Sequence, residues 1–410
     1  MTDLIEKGKK RLQWARDHMK VLEKVREEIK NSGSLEGKNI SMALHVEAKT
    51  GVLAMSLAEA GANVKMASCN PLSTDDSVAE ALREEYGMKV YAKRGETEEE
   101  YYENLNNILE HDPDVVIDDG GDLVSLIHTK RKDLIEGIKG GCEETTTGIV
   151  RLRAMEEDGA LKFPVMSVND ALMKHLFDNR YGTGQSTIDG LMTATNLQLS
   201  GKKFLVDGYG WCGRGIAMRA KGMGADVMVS EVDPVKAVEA KMDGFEVAPS
   251  KENIKKADFV VTATGCKNVI SKEEIKNAKD GCILANSGHF NNEINIEALE
   301  EASVSSRIVR DDVKEYKMKD GRKLYLLADG RLVNLAVGQG HPAEIMDMSF
   351  ALQMLAADHV LNNDLENGVH NIPRELDEKV AKLRLEADGI KIDKLSQEQK
   401  EYMEGWEEGT

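Results

Sequence analysis

An α/β fold of two doubly wound parallel-sheet domains, followed by C-terminal helices, is what the 410-residue sequence predicts, and three observations predict it. Apolar strands and amphipathic helices alternate twice, first over 39–117 and again over 203–285, the pattern of parallel β-α-β units. Several strands run straight into glycine and acidic residues, at the strand ends where ligands sit in open α/β sheets. The length also exceeds one typical domain of about 100–200 residues, so two domains are expected.

Taken in order, Leu12, Ala15, Met19, Leu22, Val25 and Ile29 recur at steps of three and four, which puts them on one face of a long N-terminal packing helix. Ile40, Met42, Leu44 and Val46 alternate as a strand, 51–60 reads as helix and 63–67 as the next strand. A further helix and strand follow to Tyr91, and a Glu-rich helix over 98–110 precedes a short strand over 114–117. That strand leads into Asp118-Asp119-Gly120-Gly121-Asp122. A second unit begins near Ser200-Gly201, with strands over 203–206, 226–230, 258–262 and 281–285, and C-terminal helices start near Pro342.

Hydrophobic residues make up 41% and charged residues 31%, a composition that argues for a folded chain. The formal net charge of −18 repels phosphate backbones, so nucleic acid is not an expected partner. No stretch approaches about 18 uninterrupted apolar residues and the N-terminus has no signal-peptide core, so no membrane partner and a cytoplasmic location are expected. Cys69, Cys142, Cys212, Cys266 and Cys282 are odd in number and form no CxxC pair, which suggests neither a disulfide framework nor a metal site. The acidic end, 404–410, reads as a solvated tail.

The most specific local signal is Gly208-Tyr209-Gly210-Trp211-Cys212-Gly213, between a strand and a helix, with Glu231 ending the next strand about 20 residues on. Glycines there permit a tight turn and close approach of a pyrophosphate to the helix N-terminus. Glu231 can accept from both ribose hydroxyls and would repel a 2′-phosphate, which favours NAD over NADP. In the first half, His45 and Asp119 follow strands, and two polar runs stand out: Glu143-Glu144-Thr145-Thr146-Thr147-Gly148, and the segment from Asn169-Asp170 through Lys174 to Phe177-Asp178-Asn179. Singly, each has a structural explanation: a polar strand end, a helix N-cap, or an i,i+4 ion pair.

Together, DDGGDL, EETTTG, VND…K…FDN, GYGxxGxG, Gly288-His289-Phe290 and RLVNL…GHP, in this order, resemble the S-adenosylhomocysteine hydrolase family over nearly the whole chain, from about Trp14 to Tyr402. The resemblance implies a substrate-binding domain over 1–182 completed by about 342–375, a Rossmann NAD-binding domain over 183–341, and a C-terminal segment over 376–410 that contacts other subunits of a homotetramer. It implies NAD-dependent, reversible hydrolysis of a thioether by transient 3′-oxidation of a ribose, elimination and water addition. By position, His45 and Asp119 match the acid–base pair at C4′ and C5′, Lys174 the lysine near O3′, and Glu144 and Asp178 the holders of the ribose hydroxyls. Lys174 is useful as a base only if its pKa is lowered, and Asp119 only if shielded, conditions that burial on domain closure could supply. Thr145, Thr146, Thr147, Asn179, Ser287, His289 and Asn334 match NAD-contacting positions, alongside Gly208, Gly210, Gly213, Gly215 and Glu231, while His289 and His341 line the cleft.

Two departures from the family pattern carry expectations. His45 is followed by Glu47 and Lys49, where the family places Thr and Glu against the adenine edge. Hypoxanthine offers O6 as acceptor and N1–H as donor, which suits Lys49 and Glu47 respectively, so S-inosyl-L-homocysteine is the expected substrate, with S-adenosyl-L-homocysteine as the alternative. A plain NAD-dependent dehydrogenase and a non-catalytic NAD-sensing protein are the competing classes. The chain also stops soon after Tyr402, without the longer tail that reaches a neighbour's NAD in many relatives, so weaker cofactor retention is expected.

Overall fold

Short β-branched and apolar runs form the strands, and the computed structural model, which describes residues 2–406, gathers them into two sheets. The first contains β1 (Asn39–Ala43), β2 (Asn63–Ala67), β3 (Lys89–Tyr91), β4 (Val115–Asp118), β5 (Gly140–Glu143) and β6 (Pro164–Ser167). The second contains β7 (Lys203–Asp207), β8 (Asp226–Ser230), β9 (Glu246–Val247), β10 (Phe259–Thr262), β11 (Ile283–Asn286), β12 (Ser303–Arg310), β13 (Val313–Met318) and β14 (Lys323–Leu327). A late strand, β15 (Gly368–Asn371), returns to the first sheet, whose order is β15-β6-β5-β4-β1-β2-β3, all parallel. The chain reverses winding direction between β1 and β4, and in such sheets the crevice at the strand C-termini there is the binding position.

The second sheet runs β12-β13-β14-β11-β10-β7-β8-β9. Its β7 to β11 core is parallel, but β12, β13 and β14 pair antiparallel with one another. This antiparallel edge departs from a purely parallel expectation. Asp311-Asp312, with Asp312 at φ 61°, and the turn around Gly321 connect these strands directly, and only antiparallel neighbours can be joined by so short a link.

The N-terminal stretch, expected as one long helix, is two: Thr2–Asp17 and Lys20–Ser32. The break at His18-Met19 lets the second helix turn onto the long helix Ala343–Asn362, whose Asp347 accepts from the Val21 and Leu22 amides at 3.0 and 2.7 Å. Those two amides begin a helix whose Met19 cap makes no side-chain bond, so a distant carboxylate supplies the capping acceptors. One core joins these helices to β1, β2 and the helix Ala343–Asn362, and another lies between β7, β8, β10 and their helices.

Candidate functional site

Strand ends from both sheets converge on one cavity of about 1440 Å³. Its walls carry His45, Glu47, Lys49, Asp119, Glu144, Thr145, Thr146, Thr147, Lys174, Asp178 and Asn179 from the first sheet's side. Gly208, Gly210, Glu231, Ser287, His289, Asn334 and His341 line it from the other. Of the residues singled out by sequence, only Gly213 and Gly215 stand behind the wall. Gly213 packs against the Gly208 carbonyl and Gly215 against that of Arg180, so both act as close-approach positions rather than lining ones.

The densest chemistry lies where a turn of π-helix, His175–Gly182, follows Lys174. Widened turns of this kind are frequent at functional sites. Lys174 Nζ donates to Asn179 Oδ1 at 2.7 Å and pairs with Asp178 Oδ2 at 3.1 Å and Glu144 Oε1 at 3.5 Å. His341 Nδ1 binds the other Asp178 oxygen, and Asn334 Nδ2 lies 3.3 Å from His341 Nε2. Asn169 ties the group to the threonine run by accepting from Asn179 Nδ2 at 3.0 Å and Thr146 Oγ1 at 3.1 Å.

Burial pulls the Lys174 ammonium down, but the Asp178, Glu144 and Asp119 charges outweigh it and hold the group above its ordinary value. The condition for Lys174 to serve as a base, a lowered pKa, is not met in this state, where Lys174 is a charged donor. Burial pushes Asp178 up, yet Lys174 and His341 hold it well below the carboxylate range. For Glu144 the balance falls the other way, with burial outweighing Lys174 and leaving it at about 8.

Where the two halves meet, His45 Nδ1 lies 2.7 Å from Ser73 Oγ, and its Nε2 is 3.6 Å from Asp119 Oδ2. His289 approaches the other Asp119 oxygen from the far side at 3.8 Å. Three potential metal-ligating atoms thus stand within 4.8 Å of one another, a proximity that no sequence spacing announced. Burial lowers His45 to about 4, so its imidazole is neutral at neutral pH. Gly120, at φ 110°, allows this approach: a Cβ there would stand 2.5 Å from His289 Nε2.

At the opposite end, β7 leads into Gly208 at φ 99°, where a Cβ would lie 2.7 Å from the Ala263 carbonyl, and Gly210 faces open space before the helix Trp211–Gly222. Glu231 accepts from the amides of Tyr209 at 2.7 Å, Val232 at 2.7 Å and Asp233 at 3.0 Å, which fixes its carboxylate beside the glycine loop. Family models for S-adenosyl-L-homocysteine hydrolase and for the NAD binding domain of that enzyme match residues 2–136 and 179–340. The chain belongs to the S-adenosyl-L-homocysteine hydrolase family.

Among relatives of this hydrolase, the S-inosyl-L-homocysteine hydrolase of Methanocaldococcus jannaschii is 58% identical over 410 residues, covering 100% of this chain and 98% of its own length. The adenosylhomocysteinase of Thermoplasma volcanium is 56% identical over 406 residues, 98% of this chain and 99% of its own. The S-inosyl-L-homocysteine hydrolase of Methanothermobacter thermautotrophicus is 55% identical over 409 residues, 99% and 98% respectively. The protein is a hydrolase with NAD as its cofactor, and the residues present fit that group. Open space over Gly210, helix amides at the loop and a pre-oriented acid provide the cradle for a pyrophosphate and a ribose. No helix among the described residues is long and apolar enough to cross a membrane.

Two functional residues escaped sequence reading, and a third was read only as part of a polar run. Ser349 and Gln353 of the helix Ala343–Asn362 donate to Asp178 and Glu144, and Glu143 holds the Gly120 and Thr145 amides at 2.8 and 3.0 Å, joining the two loops that carry Asp119 and Glu144. A signal existed for the first two, which are polar positions one turn apart in an otherwise apolar run, Met348 to Ala357.

Proposed function

We propose that this hydrolase cleaves S-inosyl-L-homocysteine, reversibly, to inosine and L-homocysteine. The observation that carries the reading is the pair Glu47 and Lys49 at the cavity wall. Glu47 caps the helix Ala48–Glu59, accepting from the Lys49 and Thr50 amides at 3.1 Å, and its other oxygen pairs with Lys49 Nζ at 2.5 Å. Lys49 Nζ also donates to the Gln339 carbonyl at 3.0 Å, which leaves one of its three N–H groups for a ligand. A donor-only ammonium beside an acceptor-only carboxylate complements O6 and N1–H of hypoxanthine and opposes the 6-amino group and N1 of adenine.

In the reaction, bound NAD supplies reversible oxidation at the ribose 3′ carbon. Lys174 donates to O3′, Asp178 and Glu144 hold the ribose hydroxyls, and Glu144, titrating at about 8, is the member of the group able to take up a proton near neutral pH. His45, neutral, and Asp119 exchange protons at C4′ and C5′. Thr145, Thr146, Thr147, Asn179, Ser287, His289 and Asn334 contact the cofactor. Residues 1–182 with about 342–375 form the substrate-binding domain and 183–341 the NAD-binding domain. Residues 376–410 contact other subunits in a cytoplasmic homotetramer, a role supported by exposed Ile390, Ile392, Leu395, Tyr402, Met403 and Trp406; residues 407–410 of the acidic tail lie outside the described residues.

The test is homocysteine release from the inosyl and adenosyl thioethers under identical conditions. The expected result is a higher kcat/KM for the inosyl compound, because a site made for one hydrogen-bond pattern rejects its inverse. The double replacement Glu47→Thr with Lys49→Glu should move the preference toward adenosine. Equal efficiencies, or an adenosine preference, would assign the chain to the adenosyl reaction of its Thermoplasma relative's name.

A further inference from the structure

We infer that Gln353 is a positioning residue for the ribose end of the site, holding Glu144 in both of its protonation states. The inference rests on the proposed role of Glu144 at the ribose hydroxyls. The helix Ala343–Asn362 forms the wall behind that carboxyl, and from Met346 to Ala357 every residue is buried. Two of its polar side chains, one turn apart, divide the work: Ser349 Oγ donates to Asp178 Oδ2 at 3.1 Å, and Gln353 Nε2 donates to Glu144 Oε2 at 2.5 Å. Neither Ser349 nor Gln353 has any exposed surface.

The two carboxylates differ in what else they have. Asp178 also holds Lys174 and His341. Among the described residues, Glu144 has the amide of Gln353 as its one side-chain hydrogen bond, and its Oε1 faces Lys174 Nζ at 3.5 Å but has no hydrogen-bond partner. Gln353 Oε1 is likewise buried without a partner. A buried amide with its donor end used and its acceptor end empty is an unusual arrangement, since nearly all buried polar groups are paired.

Glu144 explains it. Burial raises it, and the Asp178 and Asp119 charges add to that, while Lys174 and the Gln353 hydrogen bond pull the other way; the raising effects prevail, so that its proton is exchanged near neutral pH. As a carboxylate it needs a donor, which Nε2 supplies. As an acid it presents an O–H, which Lys174 cannot accept. A half-turn of the Gln353 amide brings Oε1 to that O–H, so one side chain satisfies either state. Glu144 Oε1, which faces Lys174 Nζ at 3.5 Å without a hydrogen bond, remains able to accept from a ribose hydroxyl when the group is ionised.

If the amide is removed, both forms lose a hydrogen bond, but the ionised form loses the stronger, charge-assisted one and becomes costlier to bury, so Glu144 takes up its proton at higher pH. The test is the pH profile of kcat/KM for the NAD-loaded enzyme, with NAD affinity measured by calorimetry. In Gln353→Met the acidic limb should move up by about one unit, a roughly tenfold loss at pH 7 that shrinks to about twofold at pH 9. NAD affinity should not change. Glu144→Gln should abolish the limb, and adding Gln353→Met to it should cost nothing further.

A loss in Gln353→Met that is the same factor at every pH, or a double variant that loses the product of the two single effects, would reduce Gln353 to packing and overturn the inference. If Gln353→Met fails to fold, the near-isosteric Gln353→Glu carries the comparison, with the limb again expected to move up because two carboxyls then share one proton. An unaltered rate and profile in Glu144→Gln would instead refute the ribose role of Glu144, and this inference with it.

Discussion

At one end of the cavity Lys174, Asp178, Glu144 and His341 form a buried chain of ion pairs and hydrogen bonds. At the other end Gly208, Gly210 and the first turn of the helix Trp211–Gly222 present main chain and one fixed carboxylate, that of Glu231. The end proposed to hold the ribose is built of opposed charges that leave each other displaced from their ordinary protonation, whereas the glycine-loop end has almost no side chain in the way. It follows that the first should fail when atoms are removed and the second when atoms are added.

The largest effect should come from deleting the cation. Lys174→Ala leaves Asp178 and Glu144 buried without their shared partner, and breaking a buried pair from one side costs about 3–5 kcal/mol. Turnover should be abolished and the denaturation midpoint lowered, while calorimetric NAD affinity stays nearly unchanged. Simultaneous loss of NAD binding in a folded variant would merge the two ends into one functional unit. The converse change is Gly213→Ala, whose methyl would meet the Gly208 carbonyl; overpacking of this kind costs about 1–3 kcal/mol. NAD affinity should fall by about tenfold or more, with the pH profile at saturating NAD unaltered.

Between the two ends, Gly120→Ala places a methyl against His289 and strains a backbone at φ 110°. We expect kcat to fall by about tenfold, because small misplacements of reacting groups are expensive, with NAD affinity retained. An unchanged kcat would show that the approach of His289 to Asp119 is dispensable. The smallest effect belongs to Thr97→Ala, which removes a capping box from the helix Glu98–Leu109 far from both ends. A stability loss of about 1 kcal/mol in denaturant titration, without kinetic consequence, is the expected baseline.

The two ends were also unequally legible in the sequence. The glycine loop and Glu231 can be read locally, because a strand, a tight turn and a helix are contiguous in the chain. Lys174 and Asp178 were legible as a spacing, but their protonation was not: the reversal of the lysine shift depends on Glu144 and Asp119, which arrive from other strands. Ser349 and Gln353 were missed for the same reason, since their partners lie 171 and 209 positions away. The helix break at His18-Met19 escaped because periodicity reports the buried face but not the direction the chain takes.

The position of β15 has a consequence for how the molecule is made. Gly368–Asn371 pairs with Pro164–Ser167, and the helix Ala343–Asn362 fills the same core, so the first sheet to be started is the last to be completed. A ribosome reading this message delivers every strand of the second sheet before it delivers the edge and backing of the first. During synthesis, where domains fold as units as they emerge, the cofactor cradle closes its hydrogen-bond ladder while the substrate side still waits, with an unpaired strand at its edge, for the chain to come back.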